Sequence, residues 1–194
     1  MKNTAAADEE RTEWRAQAIP LDTEQLVTHL DAAYNLARWM TRNEQDAEDI
    51  VQESYLRALR YSACYRGPHV KAWLLTIVRN GCYDFLRTKQ IHGGNSVFDE
   101  QIHSVGQETL SPEISLLRQE GAELVKEAVS ALPEKFREVL VPRELEDLSY
   151  QEIATVAGIP IGTVMSRLKR GRKQVQTIVA LQVERKKAEP AAKN

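Results

Sequence analysis

The chain has 194 residues, enough for one ordinary domain or two small ones. Hydrophobic residues make up 42% and charged residues 28%, the mix of a soluble globular protein. A net charge of −2 excludes a uniformly basic nucleic-acid coat, so any positive surface for DNA has to be local.

Residues 1–20 are rich in Ala, Glu and Asp and predict an ill-ordered lead without a signal-peptide core. The first helix is predicted from Asp22 to about Arg42, with Leu26, Leu30, Ala33, Ala37 and Met40 on one face. Asn43 can cap the second helix, whose first turn carries Asp46, where an anion suits the macrodipole. That helix turns Ala47, Ile50, Val51, Tyr55 and Ala58 inward and ends before the Gly67-Pro68 turn signal. A third helix runs from about His69 to Thr88, with an apolar stripe of Val70, Leu74, Ile77, Val78, Gly81 and Phe85. Three such helices with short connections read as a compact bundle.

From Gln90 to Ser111 the periodicity stops, which predicts a linker. Ser111-Pro112 opens a new helix, proline being suited to the first helical position, with Leu116, Leu117, Leu124, Val125 and Val129 on its apolar side. Leu132-Pro133 ends it and starts another, from Glu134 to about Asp147, in which Pro142 should kink the helix or shift its end.

The strongest local signal follows. Ser149-Tyr150-Gln151-Glu152 has the form of a capping box, opening a short helix to Ala157. Gly158 stands where a left-handed residue is wanted, Ile159 offers an apolar plug, and Pro160 to Thr163 start a second helix. This is the helix-turn-helix plan. In the second helix Val164, Leu168, Gly171 and Val175 form the inner stripe; Ser166, Lys169, Arg170 and Lys173 lie opposite, with Met165 and Arg172 beside them. Arg and Lys can donate to guanine edges or to phosphates and serine to either, while Thr163 and the helix start can hold a phosphate. Basic helix faces are common as mere solvated surfaces, but the cap, glycine turn, plug and face separation together specify duplex DNA. The tail from Gln176 extends this helix.

Charge is segregated along the chain. Between Thr163 and Lys187 stand Arg167, Lys169, Arg170, Arg172, Lys173, Arg185, Lys186 and Lys187 against Glu184 alone. Between Glu44 and Glu53 stand Glu44, Asp46, Glu48, Asp49 and Glu53 with no cation. Two such faces imply two different partners. Opposite the apolar stripe of the third helix lie Thr76, Arg79, Asn80, Tyr83 and Arg87, with Tyr61, Tyr65, Arg66, Lys71 and Trp73 nearby. Aromatics interleaved with cations suit unpaired DNA, in which rings stack on bases and amides read a flipped base edge. The same aromatics also read as half-buried core residues.

Two motif sets now stand in order. Asp46-Ala47-Glu48-Asp49-Ile50-Val51-Gln52-Glu53-Ser54-Tyr55-Leu56-Arg57-Ala58 resembles the second conserved region of bacterial RNA polymerase sigma factors. Trp73-Leu74-Leu75-Thr76-Ile77-Val78-Arg79-Asn80, ending in Asp84-Phe85-Leu86-Arg87, resembles the melting and minus-ten segment that follows it. Leu132-Pro133, Arg143-Glu144-Leu145, Leu148-Ser149-Tyr150-Gln151-Glu152-Ile153-Ala154 and Gly162-Thr163-Val164-Met165-Ser166-Arg167-Leu168 resemble the fourth region. The resemblance covers about residues 22–90 and 112–178 and has the layout of the extracytoplasmic-function (ECF) class of the sigma-70 family.

The resemblance implies an all-α protein of two small helical domains. A region 2 bundle (21–90) and a region 4 helix-turn-helix domain (112–178) would be joined by a flexible linker (91–111), with a lead (1–20) and a tail (179–194). It implies a cytoplasmic factor that binds core polymerase and directs promoter-specific initiation. Asp49, Gln52 and Glu53 would dock on the clamp coiled coil. Tyr65 and Asn80 would take a flipped minus-ten base, with Arg66, Trp73, Arg79, Tyr83 and Arg87 on adjacent DNA. Thr163, Met165, Ser166, Arg167, Lys169, Arg170 and Lys173 would meet the duplex minus-thirty-five element. Promoter DNA and an anti-sigma factor are the other implied partners. Met165 stands where many relatives carry a basic residue, and Tyr65 where phenylalanine is frequent.

No nucleotide loop, GxSxG, HExxH or catalytic carboxylate pair occurs, so no enzyme, cofactor or metal is expected. Cys64 and Cys82 lack CxxC spacing and read as small semi-buried side chains, a disulfide being unusual in the cytosol. His29, His69, His92 and His103 are scattered, and no apolar run reaches the ~18 residues of a membrane span. The rival reading is a stand-alone helix-turn-helix regulator whose N-terminal bundle senses or dimerises; it has no use for the acidic helix.

Overall fold

The computed structural model describes residues 23–62, 65, 67–91 and 112–188, with side chains described for 24–62, 65, 67–91 and 121–185. Among them are eight helices and no strand: α1 (Thr23–Val27), α2 (Leu30–Thr41), α3 (Glu44–Tyr61), α4 (Val70–Ile91), α5 (Pro112–Ser130), α6 (Glu134–Glu144), α7 (Tyr150–Ala157) and α8 (Ile161–Ala188). The predicted lead, most of the linker, Cys64 and Arg66 fall outside the described residues.

The first unit is α1–α4. Leu26, Ala33, Leu36, Ala37 and Met40 pack on Ala47, Ile50 and Ala58 of α3 and on Leu74, Val78 and Cys82 of α4. The single helix expected over 22–42 is two. The Thr28 hydroxyl donates to Gln25 O at 2.8 Å, and the His29 N–H donates to Leu26 O at 3.1 Å. This local bonding interrupts the backbone ladder between Val27 and Leu30, where α2 begins. Asn43 caps α3 as expected, accepting from the Asp46 N–H at 2.9 Å. Burial pushes the Cys82 thiol up to about 12, as befits a small core side chain.

The second unit is α5–α8. The apolar side expected for α5 is only partly inward: Leu124 and Val129 are half-buried, Val125 is exposed, and Ala128 and Ser130 are buried instead. Among the described side chains of α5, those of its C-terminal turn reach the core; Leu116 and Leu117 lie outside the described side chains. Arg137, 1% exposed, fixes that turn there by donating to Ser130 O at 3.2 Å and to Leu132 O. Burial, with Arg42 as a like-charged neighbour, lowers this guanidinium to about 10. Pro142 sits in the last turn of α6, which stops at Glu144 and not at Asp147. The Leu148 N–H closes the turn on Pro142 O at 2.9 Å, and Asp147 adopts φ 52°.

The two units pack directly together, α2 against α6 and α4 against α7. Arg137 reaches across to Met40 O at 3.2 Å, and Arg42 reaches back to Leu132 O at 3.1 Å. Met40 lies in the last turn of α2, where carbonyls are unsatisfied and a cation is favoured. The packing gives α4 a second buried face that its apolar stripe did not announce. Ala72 and Leu75 are buried beside Leu74 and Val78, and Arg79 and Tyr83 continue that face at helical spacing. No described helix is long and apolar enough to cross a membrane.

Candidate nucleic-acid interface and docking face

The helix-turn-helix is built from local bonds. Ser149 Oγ accepts from the Glu152 N–H at 3.2 Å while Glu152 Oε2 accepts from the Ser149 N–H at 2.8 Å, so the cap is reciprocal. These bonds, Ser149's hydroxyl first, hold the Glu152 carboxyl below the usual carboxylate range. Gly158 takes φ 64° and closes α7, and the Ile159 N–H bonds Ala154 O at 3.1 Å. Val164 and Leu168 are buried. Gly171 lets α8 press on α6: a Cβ there would lie 2.6 Å from Leu140 Cδ1.

That packing fixes the outer face of α8. Met165, Ser166, Lys169, Arg170, Arg172 and Lys173 are all exposed, and Met165 is 53% exposed, a large apolar side chain with nothing to cover it. The Arg172 guanidinium is engaged by Glu144 through two bonds of 2.9 and 2.7 Å, which raise its pKa. Thr163 is half-buried, and its carbonyl accepts from the Ser166 hydroxyl at 3.0 Å. Arg167 departs from the expected outer face: it turns toward α6 and pairs with Glu138. The expected face therefore reduces to six exposed side chains, of which Lys169, Arg170 and Lys173 carry no ion pair.

In the first unit Tyr65 and Trp73 are half-buried, their ring centroids 4.7 Å apart. Both pack on the core, as the reading of half-buried core aromatics held, and keep an edge in solvent. Burial raises the Tyr65 hydroxyl. Asn80 and Arg87 are exposed on the same helix. Arg79 lies 4.3 Å over the Tyr83 ring, donates from Nη1 to Asn80 Oδ1 at 3.1 Å, and pairs with Glu138 at 2.9 Å. Burial first, then the charge and hydrogen bond of Glu138, pushes the Tyr83 phenol up to about 12. Arg66 lies outside the described residues.

Asp49, Gln52 and Glu53 are exposed together on the outer side of α3. Glu53 pairs with Arg57 at 3.0 Å, one turn on, and Gln45 touches Asp49 at 3.5 Å. Leu56, 44% exposed, adds an apolar side chain to this outer side. Among the described residues no cluster of His, Cys, Asp and Glu could hold a metal.

Sequence reasoning missed Glu138 and Glu146. Glu138 is 1% exposed and meets Arg79 and Arg167; Glu146 meets Asn35 and Lys71. A signal for the first was present. Arg137 and Glu138 interrupt the apolar run from Phe136 to Val141, and a charged pair inside such a run is buried only if paired.

A capped helix-turn-helix joined to a second bundle with an acidic outer helix is the architecture of a DNA-binding transcription protein. Comparison with known proteins agrees. Residues 26–91 match Sigma-70 region 2, and residues 122–175 match Sigma-70, region 4. The ECF RNA polymerase sigma factor SigE of Mycolicibacterium smegmatis is 34% identical over 84% of this chain and 63% of its own length. The ECF RNA polymerase sigma-E factor of Haemophilus influenzae is 32% identical over 73% of this chain and 77% of its own. Among solved structures, the sigma factor RpoE in complex with the anti-sigma factor NepR from Bartonella quintana aligns with a TM-score of 0.67. It is 26% identical and covers 81% of this chain and 95% of that one. The chain belongs to the sigma-70 family of RNA polymerase sigma factors, the initiation subunits of bacterial transcription, in its ECF class. The stand-alone regulator is thereby disfavoured. The chain spans just under two thirds of the SigE homologue's length.

Proposed function

We propose that this chain binds core RNA polymerase in the cytoplasm, directs it to a set of promoters and helps to open them, leaving bond chemistry to the core enzyme. One observation carries the reading: an exposed acidic face on α3 coexists with an exposed basic face on a capped helix-turn-helix. Asp49, Gln52 and Glu53 dock on the basic surface of the clamp coiled coil, which explains an anionic patch on a DNA-binding protein. Met165, Ser166, Lys169, Arg170 and Lys173 read the duplex minus-thirty-five element, with Thr163 at the helix start and Arg167 at the edge of the contact. Met165 suits the one apolar feature of the major groove, the thymine methyl.

Residues 21–90 form the minus-ten reader. Tyr65 and Asn80 take the flipped base, and Arg66, Trp73, Arg79, Tyr83 and Arg87 hold the neighbouring strand. The linker over 91–111 sets the spacing between the two readers, so that neither binds a promoter tightly until core aligns both. An anti-sigma protein is the expected repressor, in keeping with the RpoE structure in complex with NepR. The test is run-off transcription with purified core polymerase on genomic templates. Stimulation from discrete start sites is expected; none on any template would end this reading.

A further inference from the structure

We propose that Glu144 limits the strength of duplex binding by holding one cation of the α8 outer face, Arg172, away from the phosphates. The inference rests on the reading of α8 as the duplex reader and adds to it a positioning residue on α6.

Glu144 is the last residue of α6, and Arg172 lies on the exposed side of α8 beside Lys173. Arg172 Nε and Nη2 both donate to Glu144 Oε1, at 2.9 and 2.7 Å. Tyr150, the first residue of α7, bonds the same guanidinium. The other cation next to Glu144 turns away from it: Arg143 donates to Leu148 O at 2.9 Å and lies 5.4 Å over the Tyr150 ring. Groups from three helices thus meet at Arg172, and Glu144 gives its charge to that side chain and not to its neighbour in sequence.

A second carboxylate of α6, Glu138, takes a second α8 cation, Arg167. The two carboxylates differ in setting. The Glu138 side chain is 1% exposed and also holds Arg79, so it serves the packing. The Glu144 and Arg172 side chains are 48% and 45% exposed, and a pair so open adds little stability. Its effect lies in charge. An arginine that carries its own carboxylate releases no counterion when a phosphate approaches, whereas Lys169, Arg170 and Lys173 each do. Turning Arg172 to a phosphate would leave the Glu144 carboxylate within a Debye length of it, about 10 Å at 0.1 M salt, as a like charge. Phosphate contacts carry no sequence information, so Glu144 lowers binding to every duplex alike and leaves the base contacts of Met165 and Ser166 as they are.

Glu144→Ala in the full chain frees Arg172, and Glu144→Gln keeps a neutral acceptor beside it. Binding to a short labelled duplex of mixed sequence is followed by fluorescence anisotropy across a salt series. Glu144→Ala should steepen the slope of log K against log salt by about 0.9 and bind about tenfold tighter at about 50 mM salt. Glu144→Gln should fall between it and the parent chain. Adding Arg172→Ala to Glu144→Ala should restore the parent slope. An unaltered slope in Glu144→Ala would overturn the proposal. So would a slope that stays steep in the double variant, since the lost negative charge would then act on the whole face and not through Arg172. Weaker binding by Glu144→Ala would overturn it as well, because Glu144 would then be presenting Arg172 to the duplex. A parent chain with no salt-dependent binding would end the reading of α8 and this inference together, whereas each of the other failures ends the inference alone.

Discussion

The salt dependence of duplex binding should count the free cations on the outer face of α8. Each phosphate neutralised releases counterions, giving a slope of about −0.9 in log K against log salt per contact. Five cations stand between Thr163 and Lys173 of α8, but the structure withdraws two. Arg172 is held by Glu144 through two bonds, and Arg167 by Glu138. Lys169, Arg170 and Lys173 remain exposed and without an ion pair. Three contacts predict a slope near −2.7, and hence about a 40-fold loss of affinity between 50 and 200 mM salt. Fluorescence anisotropy of the full chain on a labelled minus-thirty-five duplex measures it. Lys173→Ala should bring the slope to about −1.8, and Arg170→Ala likewise if it meets a backbone phosphate, whereas Arg172→Ala should leave it unchanged. An Arg172→Ala variant that flattens the slope as much as Lys173→Ala would refute the division into free and engaged cations.

Three further outcomes are expected. Asn80→Ala should lower promoter opening, read by permanganate reactivity, by roughly tenfold while leaving core pull-down intact, because Asn80 is exposed on α4 and far along the chain from the acidic face of α3. Replacing the contacted thymine by deoxyuridine in the minus-thirty-five duplex removes one methyl, worth about 0.8 kcal/mol or fourfold in affinity; the Met165→Ala chain should not notice the exchange. The cap of α7 should give acid lability. Glu152 is held below its ordinary value of 4.5 by Ser149, so its contribution is full above that value and is lost as pH falls through the lowered one. Thermal melting followed from about pH 6 to about pH 3 should therefore fall less steeply for Glu152→Gln than for the parent chain.

The helix-turn-helix was legible in the sequence because each of its devices is local. Ser149 and Glu152 are three residues apart, Gly158 needs only its own φ, and Val164 and Leu168 are one turn apart. The acidic face of α3 was legible for the same reason: a run of carboxylates on a capped amphipathic helix is exposed wherever the helix lies. The break between α1 and α2 was not, since it turns on which carbonyl the Thr28 hydroxyl finds. The second face of α4 was hidden more deeply. Ala72 and Leu75 do not stand out from a single apolar stripe, and Arg79 and Tyr83 look like a polar exterior. What buries them lies on α6 and α7, some sixty residues further along, and no periodicity within α4 encodes that partner.

The same packing accounts for the partner of Arg79, one of the residues proposed to hold DNA. A residue that must bind a phosphate in one state and remain soluble in another needs an acceptor in both. Exposed lysines on α8 have water for that purpose. Arg79 is three-quarters enclosed and lies over the Tyr83 ring, so water alone would leave it poorly solvated. Glu138 supplies the missing acceptor, at the cost of burying its own charge, which Arg167 then shares. The arrangement predicts asymmetry between the two carboxylates. Glu138→Ala should unfold or loosen the second unit, by about 3 kcal/mol for a buried pair broken from one side and less to the extent that Arg79 and Arg167 turn to solvent. Glu146→Ala, whose partners lie across the interface, should leave the stability of the helix-turn-helix nearly unchanged and act on the separation of the units alone. Denaturant melts of both variants decide the matter: equal losses would mean that the two units fold as one.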